Sequence, residues 1–106
     1  MSHETETMDS TAIKQMAQAH IVNTYGDRSL AIVRGEGATV WDADGHEYLD
    51  FFAGIAVASL GHCHPAVTRA LQEQAATLLH VSNLYYTEPQ ALLAKEIGRA
   101  SCRERV

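Results

Sequence analysis

Tyr48-Leu49-Asp50-Phe51-Phe52-Ala53-Gly54-Ile55-Ala56-Val57-Ala58-Ser59-Leu60-Gly61-His62-Cys63-His64-Pro65 is the stretch on which the fold of this 106-residue chain turns. Its first part reads as an ordinary strand leaving a hairpin. It then runs through small residues into a Gly-His-Cys-His-Pro loop that opens a helix. Small residues let a ligand or a second backbone approach closely. The stretch is therefore expected to line an active site, with most of that site lying outside this chain.

Toward the N-terminus, Ala31-Ile32-Val33-Arg34, Ala38-Thr39-Val40-Trp41-Asp42-Ala43 and His46-Glu47-Tyr48-Leu49-Asp50 are β-rich runs. They are separated by Gly35-Glu36-Gly37, read as a turn, and by Asp44-Gly45. Asp-Gly between such runs signals a two-residue hairpin in which both turn positions take positive φ. The expectation is a three-stranded antiparallel meander. Before it, Asp9 or Ser10 can cap a helix whose apolar stripe is Ile13, Met16, Ala17, His20 and Ile21, ending near Asn23-Thr24-Tyr25-Gly26. Residues 1–9 are polar and acidic and are expected to be a disordered tail.

Toward the C-terminus, Pro65 suits the first position of a helix, where its missing N–H costs nothing. That helix is expected to run to about Leu79 and to bury Val67, Ala70, Leu71, Gln74, Ala75 and Leu78. Thr87 then caps a second helix, Glu88 to Ile97, with Leu92, Leu93 and Ile97 as its apolar side. From Gly98 the pattern breaks, and residues 98–106 hold three of the chain's six arginines. The elements sum to an α+β class: a helix, a three-stranded antiparallel meander and two helices.

The net charge of -5 argues against nucleic acid or an anionic membrane as the main partner. No apolar run reaches the roughly 18 residues that a membrane span requires, and no signal pattern opens the chain. Two cysteines are too few for a disulfide framework. A cytoplasmic location is the expectation.

Several constellations invite chemistry and have plainer readings. His62, Cys63 and His64 are metal-ligand types, but a structural zinc site needs a second cluster and adjacent side chains converge poorly on one ion. As a nucleophile, Cys63 would need a base that is a spatial rather than a sequential neighbour. Asp42, Asp44 and Glu47 resemble the start of a calcium loop but lack its later acidic ligand, and a turn explains them. Gly35-Glu36-Gly37 lies between strands rather than before a helix, so it is no phosphate fingerprint. The expected metal set is none.

Taken in order, Asn23-Thr24-Tyr25-Gly26, Val33-Arg34-Gly35-Glu36-Gly37, Trp41-Asp42 with Asp44-Gly45, Tyr48-Leu49-Asp50-Phe51, Gly54-Ile55-Ala56-Val57, Gly61-His62-Cys63-His64-Pro65 and Val81-Ser82-Asn83-Leu84-Tyr85 form a series. Over about Ala17 to Ile97 it resembles the N-terminal segment of the class III pyridoxal-phosphate-dependent aminotransferases, nearest their acetylornithine branch. The resemblance implies the N-terminal part of the small domain of a fold type I transferase, over residues 10–97. It also implies a homodimer that transfers the amino group of N-acetylornithine to 2-oxoglutarate in arginine biosynthesis. Succinylornithine, ornithine or 4-aminobutyrate remain alternative donors, and a binding or assembly module without an enzymatic role is the alternative of another class.

By the same resemblance, Tyr25 and Ile55 are substrate-binding positions. Ile55 falls where the ornithine enzymes present a tyrosine to the substrate amine, and an apolar residue suits an acylated amine that carries no charge. Read without the resemblance, both are packing side chains. Pyridoxal 5'-phosphate is the implied cofactor of the full-length protein. The chain's only lysines, Lys14 and Lys95, do not match the family's catalytic position, and no phosphate loop follows Ile97. The expectations are therefore no catalytic or cofactor-binding residue in these 106 residues, an inactive fragment that does not hold the cofactor, and a tail over 98–106 foreign to the family.

Overall fold

The structure, a computed structural model, describes residues 7–100. Its element order is helix α1 (Ser10–His20), strands β1 (Ile32–Glu36), β2 (Thr39–Asp42) and β3 (Glu47–Leu49), a single turn α2 (Ala53–Ala56), helix α3 (Pro65–Thr77), a 3₁₀ turn (Ser82–Leu84) and helix α4 (Glu88–Ala100). The chain divides into two units, Met1–Leu71 and Gln72–Val106.

In the first unit the expected meander is present, antiparallel in the order β1-β2-β3. Its turns differ from the expected ones. Gly35 and Glu36 belong to β1, and the reversal falls one step later at Gly37-Ala38, with Glu36 opposite Thr39. Gly37, at φ 57°, supplies the positive φ that a two-residue hairpin asks of its first position. Between β2 and β3, Gly45 (φ 88°) is in the left-handed region while Asp44 is not. Here the Asp42 carbonyl accepts from Gly45 N, and the Asp42 side chain accepts from the amides of Asp44 and His46. The side chain thus fixes a wider loop in which glycine alone needs the special conformation.

Asp9 is the cap of α1, accepting from Ala12 N at 2.8 Å. Ser10 N donates to Asp44 Oδ1 at 3.0 Å, which ties the helix start to the β2–β3 loop. Two aspartates at the helix N-terminus also complement its dipole. Of the tail expected over 1–9, residues 1–6 lie outside the described residues, and Asp9 is part of the fold.

The third strand, expected over His46–Asp50, is shorter than that. β3 stops at Leu49, and Asp50 turns its carboxylate onto the amides of Phe52 and Ala53. Ala53, Gly54, Ile55 and Ala56 then take φ values of 50°, 61°, 60° and 62°. This is a turn of left-handed helix, closed by Ala56 N to Phe52 O and Val57 N to Ala53 O. Three of its four residues carry a Cβ, for which this conformation costs roughly 1–2 kcal/mol each.

The apolar core is small. Ala31 and Val40 are the buried hydrophobic residues described, and Ser10 and Asp42 the buried polar ones. Helix α3 starts at Pro65 and stops at Thr77, short of the Leu79 expected, and its apolar stripe is not buried: Val67 and Leu71 on it and Leu78 just past it stay exposed. In the second unit, α4 extends to Ala100, past the Ile97 expected, with Arg99 in its last turn paired to Glu96 at 2.6 Å. Leu92, Leu93 and Ile97 are exposed there too. Residues 101–106, most of the expected foreign tail, lie outside the described residues.

Candidate functional site

The loop that carries Ile55 is built from Asp50. This residue ends β3, its amide donating to Ala38 O at 2.8 Å, so its carboxylate sits at the corner of the meander. Oδ1 accepts from Phe52 N (3.0 Å) and Ala53 N (2.9 Å), and Oδ2 accepts from His62 Nε2 at 2.6 Å. The hydrogen bond from His62, followed by that from Ala53 N, holds the Asp50 carboxyl below the usual carboxylate range. His62 in turn exchanges two backbone hydrogen bonds with Gly37, at 2.8 and 3.0 Å. Its ring lies so close to Gly35 that a Cβ there would stand 2.7 Å from His62 Cγ. Gly61, at φ 87°, lies against Gly37 with as little room, 3.0 Å from a would-be Cβ to Gly37 Cα.

Ile55 therefore rides on a pinned loop, and its side chain is 77% exposed. Phe51, Phe52, Val57 and Leu60 around it are exposed as well. Tyr25 lies in the segment after α1, 87% exposed, between Asn23 and Gly26. Those two neighbours line a cleft of about 270 Å³ along α1 that also includes Lys14, Gln18, Asp27 and Arg28. Tyr25 and Ile55 sit on separate segments, and no hydrogen bond among the described residues joins them.

The histidine-rich loop splits. His62 serves Asp50, while His64 turns its Nδ1 to accept from Ala66 N at 3.2 Å at the start of α3. Cys63 is an exposed free thiol at φ 55°. The carboxylate and imidazole atoms that do lie close together are those of Asp42, Asp44 and His46, all within 4.8 Å. Asp42 is already saturated: Oδ1 accepts from the amides of Asp44 and His46, and Oδ2 from His46 Nδ1 (3.1 Å) and Tyr48 OH (3.0 Å). Burial pushes the Asp42 carboxyl up, but the bonds from His46, Tyr48 and Asp44 outweigh it and hold it below the usual range. The same bond to Asp42, with burial and the negative charges of Asp42 and Asp44, pushes the Tyr48 phenol up. Four N–H and O–H donors do there what a cation would do.

Sequence reasoning passed over Asp50 as a positioning group and weighed His62 as a ligand or base. The available signal was an aspartate two and three residues ahead of the amides that open a run of small residues, the spacing of a side-chain turn.

The lysines offer no cofactor site. Lys14 faces the cleft beside the middle and C-terminal end of α1, where helix carbonyls carry partial negative charge, the wrong end for a phosphate. Lys95 is on α4. The residues described do not fit pyridoxal phosphate by themselves. No helix among them is long and apolar enough to cross a membrane.

The class-III aminotransferase model matches residues 21–106, across the boundary expected at Ile97. An acetylornithine aminotransferase of Synechocystis sp. is 54% identical over 87 residues, 82% of this chain and 20% of that protein. The crystal structure of an acetylornithine aminotransferase from Elizabethkingia anophelis superposes with a TM-score of 0.85 at 28% identity, over 92% of this chain and 26% of that one. An ornithine aminotransferase from Toxoplasma gondii, with partial occupancy of PLP at its active site, superposes at 0.80 and 29% identity, over 90% of this chain and 22% of that one. The chain thus spans about a fifth to a quarter of the length of these relatives. With a match over most of its length in sequence and in backbone, the chain belongs to the class-III aminotransferases.

Proposed function

We propose that this chain is the N-terminal segment of a cytoplasmic, homodimeric, pyridoxal-phosphate-dependent enzyme that transfers the amino group of N-acetylornithine to 2-oxoglutarate. In this reading it belongs to the small domain and supplies Tyr25 and Ile55 to the amino donor. The observation that carries the reading is Ile55, an exposed apolar side chain held on a strained turn in a segment 54% identical to an acetylornithine aminotransferase. Strain of this kind concentrates where a side chain must be presented rather than packed.

In N-acetylornithine the side-chain amine is the group transferred and the acylated α-nitrogen is uncharged, so an apolar wall can face the acylated end without leaving a buried charge unpaired. Free ornithine would bring an ammonium against the same wall. The exposed apolar residues Phe51, Phe52, Val57 and Leu60, and those of α3 and α4, support burial against the remainder of such an enzyme and its second subunit. Because Lys14 and Lys95 build no cofactor site, the lysine and phosphate cradle belong elsewhere in that enzyme, and residues 1–106 alone are inactive. The segment 10–97 is assigned to the small domain of that enzyme, and the family match runs on through residues 98–106.

Glutamate formation by the full-length protein tests this. The expected result is a kcat/KM for N-acetylornithine at least about tenfold above that for ornithine, the discrimination a missing polar partner confers. Preference for ornithine or 4-aminobutyrate would reject the assigned donor. Transamination by the 106-residue chain alone would reject its inactivity.

A further inference from the structure

We infer that Asp50 and His62 are positioning residues, a latch that holds the Ala53–Ala56 turn in its left-handed form and so sets where Ile55 points; the substrate part of this inference rests on the function proposed above.

The loop from Phe51 to Gly61 is exposed along most of its length, so packing does not hold its shape. Inside it, the bonds Ala56 N to Phe52 O and Val57 N to Ala53 O close the turn, and Ser59 Oγ donates to Ala56 O. Bonds of the same kind would form equally in a right-handed turn, which residues with a Cβ prefer. What selects the left-handed form must act from the loop's ends. Asp50 fixes the entry, because one carboxylate oxygen collects the amides of both Phe52 and Ala53. Its other oxygen fixes the exit through His62, twelve residues on, which the Gly37 backbone and the bare face of Gly35 hold in place. The two side chains are 16% and 29% exposed, so their bond is shielded from water on most sides. Entry and exit are thereby held to one point on the meander, and the positive φ values between them follow from that closure.

The test uses the full-length protein with His62→Ala, Asp50→Ala and the gentler Asp50→Asn, and His62→Gln as the conservative variant whose amide can still donate to Asp50. Amide hydrogen exchange over residues 52–58 reads the latch without substrate. N-acetylornithine kinetics read its consequence. The two alanine variants should speed exchange by about tenfold and raise the KM for N-acetylornithine about fivefold with a smaller change in kcat and an unchanged cofactor content. Asp50→Asn should shift both in the same direction by less, and His62→Gln should restore both. Unchanged exchange in the alanine variants, or in Asp50→Asn where those do not fold, overturns the latch. Faster exchange with an unchanged KM overturns the positioning of substrate. A wild-type protein that turns over no ornithine derivative rejects the proposed function instead, and the exchange result then decides the latch on its own.

Discussion

Two aspartates organise two consecutive loops of this chain, and they do so in opposite ways. Asp42 gathers four donors from residues no more than six positions away, and the one residue in its loop with positive φ is Gly45. Asp50 gathers two nearby amides and one imidazole twelve residues on, and its loop holds Ala53, Ile55 and Ala56 in a conformation that suits none of them. The first loop is made of residues that want its shape. The second has its shape imposed through a non-local contact, which is the usual condition for strain to persist. A scaffold needs the first kind of loop, and a presented side chain is a reason for the second.

Substitutions can break each half of this contrast. Asp42→Ala, which orphans two amides, the His46 ring and the Tyr48 hydroxyl, should be the most damaging single change, lowering the thermal midpoint of the full-length protein by on the order of 5 °C. Gly35→Ala should cost about 1–3 kcal/mol in denaturant unfolding, because the new Cβ meets His62 Cγ and Cβ and forces the ring off Asp50. The contrast is sharpest in a paired exchange of glycine. Ile55→Gly should stabilise by about 1 kcal/mol, since an exposed side chain is lost and a strained backbone relieved, whereas Gly45→Ala should destabilise by a similar amount. Equal signs for the two would remove the distinction.

The smallest effects concern pH. Asp42 and Asp50 are both held below the ordinary carboxylate range in the folded chain, so their contribution is present above the unfolded value and lost as pH falls through the lowered ones. Tyr48 is raised, so its contribution is complete below the ordinary phenol value and is lost as pH rises through the raised one. Tyr48→Phe should therefore remove an alkaline limb from the stability profile and weaken the acidic limb without removing it, because the Tyr48 hydroxyl is one of several donors that hold Asp42 low, as denaturation midpoints across pH would show.

Much of the first loop was legible in the sequence, and little of the second. Alternating β-rich runs and Asp44-Gly45 were enough to give three antiparallel strands, although Asp42's hold on the turn made it wider than the dipeptide suggests. Pro65 marked the start of α3 correctly because a missing N–H is a local property. Beyond Asp50 the run of small residues was legible, but its left-handed turn was not, because the bond that closes the loop comes from His62, whose partner cannot be known from spacing. The stripes of α3 and α4 were legible as apolar faces, but burial depends on what covers them, and within this chain Val67, Leu71, Leu92 and Ile97 remain exposed. Ile55 came from resemblance alone, since composition makes it an ordinary core residue.

The most direct measurement is the donor preference of the full-length protein carrying Ile55→Tyr. The turn already holds a bulky residue at φ 60°, so the new side chain takes the same position and differs mainly in presenting a hydroxyl. If Ile55 faces the acylated end of the donor, the ratio of kcat/KM for N-acetylornithine to that for ornithine should fall about tenfold, with folding unchanged. A ratio equal to that of the unsubstituted protein would mean that Ile55 does not meet the substrate, and the strained turn would need another explanation.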